Sequence, residues 1–259
     1  MPLNDKTLTD LAIKMLADYD AHNPGTQFGD GLRLSVPDAW LLQTAVSKLR
    51  EKRGEKIVGF KIGAVFEGNQ KLIGLDHPAW GRLWNNEQHK DKVTLFKKDF
   101  ANPSMEAEFG IILNRDIETD KTSLDDILRS IKSVHPVIEI HNFVFRGESP
   151  NGAELLANNA IHAGVVRGLG KMDPKKTITT DLELIYDGEI VDSWYGTKWP
   201  DDYLSAIDWL VQEQAKLGNK LRKNHLILTG ALGPPIPIKN RQLVEANSPQ
   251  IGRVSARFV

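Results

Sequence analysis

The sequence has no cysteine. Its absence excludes disulfides, zinc–thiolate sites, iron–sulfur clusters and cysteine nucleophiles, and leaves oxygen or imidazole to hold any metal. There is no surplus of charge either: 33 Lys and Arg stand against 34 Asp and Glu, a net charge of −1. Phosphate binding generally needs a clustered basic excess, so no nucleic-acid partner is expected. No apolar run approaches the roughly 18–20 residues that cross a bilayer. Met1 to Lys6 show no basic head followed by an apolar stretch. No membrane segment and no secretory leader are therefore expected, and the expected location is cytoplasmic. Internal repeats, low-complexity tracts and Pro/Gly/Ser-rich linkers are also missing. What is present is 259 residues, 41% hydrophobic and 26% charged. That is a globular mixture, enough for one large domain or two small ones.

Leu8, Leu11, Ile13, Met15 and Leu16 recur at roughly helical spacing up to a break at Asn23-Pro24-Gly25. A second helix is signalled by Ser35 or Val36 ahead of Pro37, by the apolar side Ala39, Leu41, Leu42, Ala45, Val46 and Leu49, and by Gly54 as its stop. The basic cluster Lys48, Arg50, Lys52 and Arg53 at its end reads as a solvated terminus favoured by the helix dipole. A short strand follows over 57–63. From about residue 92 the texture turns to strands, at 93–96, 108–113, 137–140 and 164–168, with a hairpin over 182–191 turned at Asp187-Gly188. Later strands are expected at 226–229, 236–238 and 252–258. Helices are expected after Thr122 or Ser123 and from Tyr203 to Leu217. The pattern predicts an α+β protein, with an N-terminal α/β portion over 1–92 and a C-terminal β-rich catalytic portion over 93–259 packed as one body.

The sharpest local feature is Met105-Glu106-Ala107-Glu108-Phe109, which runs into an apolar strand. In an extended chain Glu106 and Glu108 project to the same side. Two carboxylates so placed repel unless a cation lies between them or one keeps its proton. A hard divalent ion such as Mg²⁺ or Mn²⁺ resolves the conflict. The alternative places Glu106 in the preceding loop and Glu108 facing water. Glu139, inside Val137-Ile138-Glu139-Ile140, is a further acid in a segment apolar enough to be buried, where it must be paired, protonated or metal-bound. Lys61 sits in Gly59-Phe60-Lys61-Ile62-Gly63. Either its head reaches solvent at a strand end, or the flanking glycines let a ligand approach. Trp194, Trp199 and Trp209 read as core or subunit contacts. Gly168-Leu169-Gly170 is too short for a dinucleotide loop, and Ser193 lacks the surroundings of a hydrolase elbow.

These pieces, in this order, resemble the fumarylacetoacetate hydrolase superfamily, specifically its hydratase/decarboxylase branch. The resemblance runs from about Leu34 to Phe258. It includes Leu34-Ser35-Val36-Pro37-Asp38-Ala39-Trp40, Gly59 to Gly63, Gly74-Leu75-Asp76-His77-Pro78-Ala79-Trp80-Gly81, Met105 to Glu108, Val137 to Ile140, Leu228-Thr229-Gly230-Ala231-Leu232 and Gly252 to Phe258. It implies a C-terminal mixed β-roll and a Mg²⁺ or Mn²⁺ site of Glu106, Glu108 and Glu139. It implies Lys61 beside the carboxylate of a 2-oxo or 2-hydroxy-dienoic acid, with Ile62, Thr229 and Asn158 also at the substrate, and Asp76 in a lid or pocket wall. It further implies a homo-oligomer. The activity implied is hydration of a 2-hydroxy-2,4-dienoate to a 4-hydroxy-2-oxo acid. Decarboxylation of an oxalocrotonate-like diacid and hydrolysis of an acylpyruvate are the alternatives within the enzyme class.

The chain departs from its relatives after the third acid, where His141-Asn142-Phe143 replaces a V-D-S pattern. It departs again at Ala157-Asn158-Asn159-Ala160-Ile161-His162, which replaces A-D-N-A-S-S, and at Thr229-Gly230-Ala231-Leu232-Gly233, which replaces S-G-S-L-T. His141 or His162 is expected to have taken over acid–base duty, since imidazole titrates near neutrality and His141 shares the face of Glu139 on an extended strand. The alternative is that both are surface or core-satisfied histidines. The neutral Asn142 and Asn158 also leave open a non-catalytic homologue that binds oxo-acids. Arg146 and Arg167 are candidates for a second substrate carboxylate.

Overall fold

The computed structural model describes residues 4–117, 122–170 and 172–259. Met1 to Leu3, part of the segment read for a leader, lie outside the described residues. The chain opens with helices α1 (Asp5–Asp20), α2 (Thr26–Gly29) and α3 (Val36–Lys52), then strand β1 (Ile57–Gly63), helix α4 (Glu67–Leu72) and strands β2 (Ala79–Trp84), β3 (Gln88–Lys90) and β4 (Val93–Leu95). Two long strands carry the acids: β5 (Pro103–Leu113) and β6 (Ile131–Asn142), joined through α5 (Leu124–Ser130). Then come α6 (Gly152–Ala157), β7 (His162–Arg167), β8 (Ile178–Tyr186), β9 (Glu189–Trp199) and α7 (Asp201–Lys216). Strands β10 (Leu226–Leu228), β11 (Ile236–Pro237), β12 (Leu243–Ser248) and β13 (Gly252–Phe258) close it.

Local chemistry sets the helix starts. The Ser35 hydroxyl accepts from the Asp38 N–H at 3.2 Å with Pro37 in the first turn, and the Ser123 hydroxyl accepts from Asp126 N–H at 3.1 Å. The larger sheet runs β2-β1-β10-β5-β6-β7-β3, with β11 paired to β5, and the smaller runs β4-β13-β12-β8-β9. Strands from both sides of residue 92 are thus hydrogen-bonded in one sheet: β1 lies parallel to β10, and β3 to β7. Gly59 is needed where β1 meets β10, since a Cβ there would stand 1.8 Å from the Leu226 carbonyl oxygen. Backbone packing, not a ligand, explains that glycine.

The main core lies between the sheets, with Phe109, Ile111 and Ile138 from one and Leu184, Val254 and Phe258 from the other, and α7 adds Ile207 and Leu210. Burying each such side chain stabilises by roughly 1.5–3 kcal/mol. A second cluster, including Met15, Leu42 and Leu156, packs α1 and α3 onto α6. Trp199 belongs to the main core, as expected. Among the described residues no helix is long and apolar enough to cross a membrane.

Candidate metal centre and active site

Alternation along β5 puts Glu106 and Glu108 on one face, and alternation along β6 does the same for Glu139 and His141. The antiparallel register then sets Glu106 opposite Glu139. Glu106, Glu108, Glu139 and His141 are all buried, with exposures of 7%, 1%, 0% and 1%. The readings of Glu106 as a loop residue and Glu108 as facing water are therefore corrected: an eleven-residue strand with both faces covered encloses them. His141 Nε2 lies 2.9 Å from Glu106 Oε2 and 3.5 Å from Glu139 Oε2. One ligand atom from each of Glu106, Glu139 and His141 falls within 4.8 Å of the others.

The remaining oxygen of Glu139, Oε1, accepts from His162 Nδ1 at 2.7 Å and faces Lys61 Nζ at 3.4 Å. Lys61 is 3% exposed, so its head is not in solvent. Glu108 Oε2 accepts from the Gly230 N–H at 2.9 Å. Gly230 has φ +97°, and a Cβ there would stand 2.4 Å from Val65 Cγ1. Only glycine can present that N–H.

The charges are unequal partners. Burial pushes the Glu108 carboxyl well above its usual range, and the charges of Glu139 and Glu106 push the same way. Burial alone would also raise Glu139, but Lys61 above all, then His141 and His162, hold it well below. Lys61 is raised although burial opposes its charge, because Glu139, Glu106 and Glu108 surround it. Three carboxyl groups thus crowd one ammonium, and the burial that raises Glu108 disfavours its charge unless a further cation joins the cluster. Glu108 Oε1 and Glu139 Oε2 are buried without hydrogen-bond partners. This set of hard oxygen donors, two of them unsatisfied, fits a divalent cation.

Beside the cluster opens a cavity of about 370 Å³ whose wall includes Lys61, Glu106 and His141, together with Phe143, Phe145, Leu155 and Pro234. Ile62 is buried in the core next to Lys61, and Thr229 is turned inward, its N–H and hydroxyl both bonded to the Phe109 carbonyl at 3.0 Å. Neither lines the cavity. Asp76 is exposed in the loop between α4 and β2, 3.9 Å from His77 Nε2, and is not brought to the cluster. Asn158 and His162 line a separate cavity of about 40 Å³ with Tyr19, Arg50 and Trp84. Neither arginine suggested for a second carboxylate reaches the wall. Arg146 is bound to Pro24 O at 2.9 Å and to Asn23, and Arg167 is exposed at the end of β7.

His162 is delivered by an unusual segment. Asn159, Ala160 and Ile161 have φ of 54°, 50° and 54°, a left-handed conformation that costs an L-residue roughly 1–2 kcal/mol. It is held by Asn159, whose side chain accepts from the Arg82 N–H at 2.7 Å and donates to the Arg82 carbonyl at 2.9 Å. Sequence reading missed Gly230, Glu87, Tyr19 and Arg50. Arg50 is no solvated helix terminus: it is 4% exposed and ion-paired with Glu55 and Glu87. The run of basic neighbours hid it.

No family model matches the chain. A 2-keto-4-pentenoate hydratase of Paraburkholderia xenovorans (strain LB400) is 29% identical over 230 residues, covering 87% of this chain and 84% of that protein. The solved structure of 4-oxalocrotonate decarboxylase from Pseudomonas putida G7, complexed with magnesium and adipate, superposes with a TM-score of 0.85 at 22% identity, covering 99% of each chain. A structure from Yersinia pestis CO92 assigned to the fumarylacetoacetate hydrolase family superposes with a TM-score of 0.56 at 16% identity, covering 77% of this chain and 92% of that one. The fold is therefore α+β with the curled, mixed β-roll of that family. In the order of its motifs and in its hydratase relatives the chain is similar to the hydratase/decarboxylase branch of the fumarylacetoacetate hydrolase superfamily, and it shares that fold.

Proposed function

We propose that the protein is a divalent-metal-dependent lyase that hydrates a 2-hydroxy-2,4-dienoate to a 4-hydroxy-2-oxo acid. One observation carries this reading: Glu106 of the buried acid cluster, His141 and Lys61 all line a cavity whose remaining surface is mainly apolar. Glu106, Glu108 and Glu139 would hold Mg²⁺ or Mn²⁺, which supplies Lewis acidity toward the carboxylate and neighbouring oxygen of a 2-oxo acid. Lys61 attracts that carboxylate and fixes which end of the substrate enters first. In the reaction the 2-hydroxyl loses its proton and the far carbon gains one. The resulting enone then takes hydroxide at carbon four and a proton at carbon three, a net addition of one water. We assign those proton transfers to His141, supported by its position on the cavity wall with Nε2 toward Glu106. Asp76 and Asn158 take no part in this proposal. The reading carries with it a homo-oligomer, as the resemblance implies, and the cytoplasmic location expected from the sequence.

Among the described wall residues Lys61 is the one lysine or arginine. A diacid would have to bury its second carboxylate against Phe143, Phe145 and Leu155, which is costly. The cavity thus favours hydration of an uncharged tail over decarboxylation of an oxalocrotonate-like diacid. The decisive assay follows the ultraviolet absorbance of a 2-hydroxy-2,4-dienoate with Mg²⁺ while carbon dioxide is measured. Decay to a 4-hydroxy-2-oxo acid without carbon dioxide is expected. Binding without turnover on any dienoate would mean a non-catalytic homologue.

A further inference from the structure

The hydrogen bond from His162 to Glu139 is one link of a longer buried file. While His162 Nδ1 donates to Glu139 Oε1 at 2.7 Å, its Nε2 lies 3.8 Å from Glu87 Oε2. Glu87 is buried, and its other oxygen accepts from the Tyr19 hydroxyl at 2.6 Å and from the Arg50 guanidinium. Arg50 in turn holds Glu55 at 2.6 Å and stacks its guanidinium 4.4 Å over the Trp84 ring. The file therefore runs from α1 and α3, through the short turn before β3, to His162 on β7 and Glu139 on β6. His162 is held by its backbone, in the left-handed turn clamped to Arg82, and by the Nδ1 bond to Glu139, while its Nε2 and Glu87 Oε2 face each other across 3.8 Å, both buried without a hydrogen-bond partner. Neither Glu87 nor His162 lines the substrate cavity, so the file does not reach the reacting atoms directly.

We propose that Glu87, clamped by Tyr19 and Arg50, is a positioning residue that acts through His162 to orient Glu139, and so sets the affinity of the acid cluster for its divalent ion. The proposal rests on the metal reading above. Its physical basis is that a carboxylate ligand is useful only when its free oxygen points at the ion. Glu139 Oε2 is left free because Oε1 is occupied by His162 and Lys61. If His162 tilts, Glu139 can turn either oxygen inward and the preformed arrangement is lost. Outer-shell partners of this kind typically change metal affinity by about 10–100-fold.

The test is Mn²⁺ binding to the full chain, followed by electron paramagnetic resonance of free ion and by calorimetry. It compares the wild type with Glu87→Gln, which keeps the shape and removes the charge, and Tyr19→Phe, which removes one clamp. The expected result is a dissociation constant raised about 10–100-fold in Glu87→Gln and less in Tyr19→Phe. Turnover should be largely restored by saturating Mn²⁺. If Glu87→Gln fails to fold, Tyr19→Phe and Glu87→Asp carry the comparison, and an unchanged affinity in both overturns the proposal. A lowered melting temperature with Mn²⁺ affinity within twofold of wild type also overturns it, leaving a mere clamp between helices and sheet. Wild-type protein that takes up no Mn²⁺ defeats the metal reading itself. Wild type and variants binding equally well defeat only the role of Glu87.

Discussion

Glu106 and Glu139 face each other as a register pair across β5 and β6, and the imidazole of His141 stands beside both, 2.9 Å from one carboxylate and 3.5 Å from the other. Two acids in direct cross-strand opposition destabilise a sheet unless something offsets their repulsion. Here Lys61 faces Glu139, and the ligand atoms of Glu106, Glu139 and His141 lie close enough together to hold a cation between the strands.

Removing the charge of one acid while keeping its shape should separate ion binding from folding. Glu108→Gln is expected to lose tight Mg²⁺ or Mn²⁺ binding. Turnover should fall by about 10²–10³-fold, since such an ion is worth several kcal/mol in the transition state. The variant should fold, because burial already disfavours the charged form of Glu108. Calorimetric titration and steady-state rates at fixed ion concentration check this.

His141→Gln retains a polar side chain at the cavity wall but cannot carry a proton. Its kcat is expected to drop about 10²–10⁴-fold with KM and ion affinity nearly unchanged. A loss of ion affinity instead would place His141 among the ligands.

Substrates that differ only at the far end read the cavity directly. A dienoate with an uncharged tail should be turned over with kcat/KM at least about tenfold above its dicarboxylate counterpart, given the cost of burying a charge against Phe143, Phe145 and Leu155. Phe145→Arg should narrow or reverse that ratio. Equal values for both substrates in the wild type would contradict the apolar-tail reading.

Acid stability should depend on His225, which lies far along the chain from the acids. Burial, with help from Arg222, lowers its pKa from 6.5 to about 4. The unfolded chain therefore binds a proton that the folded one refuses. The contribution of the neutral ring is complete above about pH 6.5 and is lost as pH falls from there toward about 4. At about 1.4 kcal/mol per pKa unit this is at most roughly 3 kcal/mol. His225→Gln should flatten that part of the denaturation profile, measured with urea at a series of pH values.

Much of the site was legible because strands alternate. The two-residue spacings of Glu106 with Glu108 and Glu139 with His141 announced shared faces, and the apolar neighbours announced burial. What the spacing could not carry was register. Nothing local says that Glu106 meets Glu139 rather than Val137, since that depends on how α5 and the linking segment return the chain. Polar Lys132, Ser133 and His135 also disguised the first half of β6, which begins at Ile131. His162 faces Glu139 through a long connection and a left-handed turn with no sequence signature at Ala160 or Ile161. Arg50 and Glu87 are 37 residues apart, and each alone looks like an ordinary surface charge. Strand β2, Ala79–Trp84, was legible only as part of a motif, because both its faces are buried and Arg82 breaks its apolar run.

The most direct test is a crystal grown with Mn²⁺ and oxalate, with anomalous differences collected at the manganese edge. One peak per chain is predicted, bounded by carboxylate oxygens of Glu106, Glu108 and Glu139 at roughly 2.0–2.3 Å, with oxalate on its cavity side toward Lys61. A map with no peak between β5 and β6, or a peak elsewhere while the three glutamates bond only to protein groups, would contradict it.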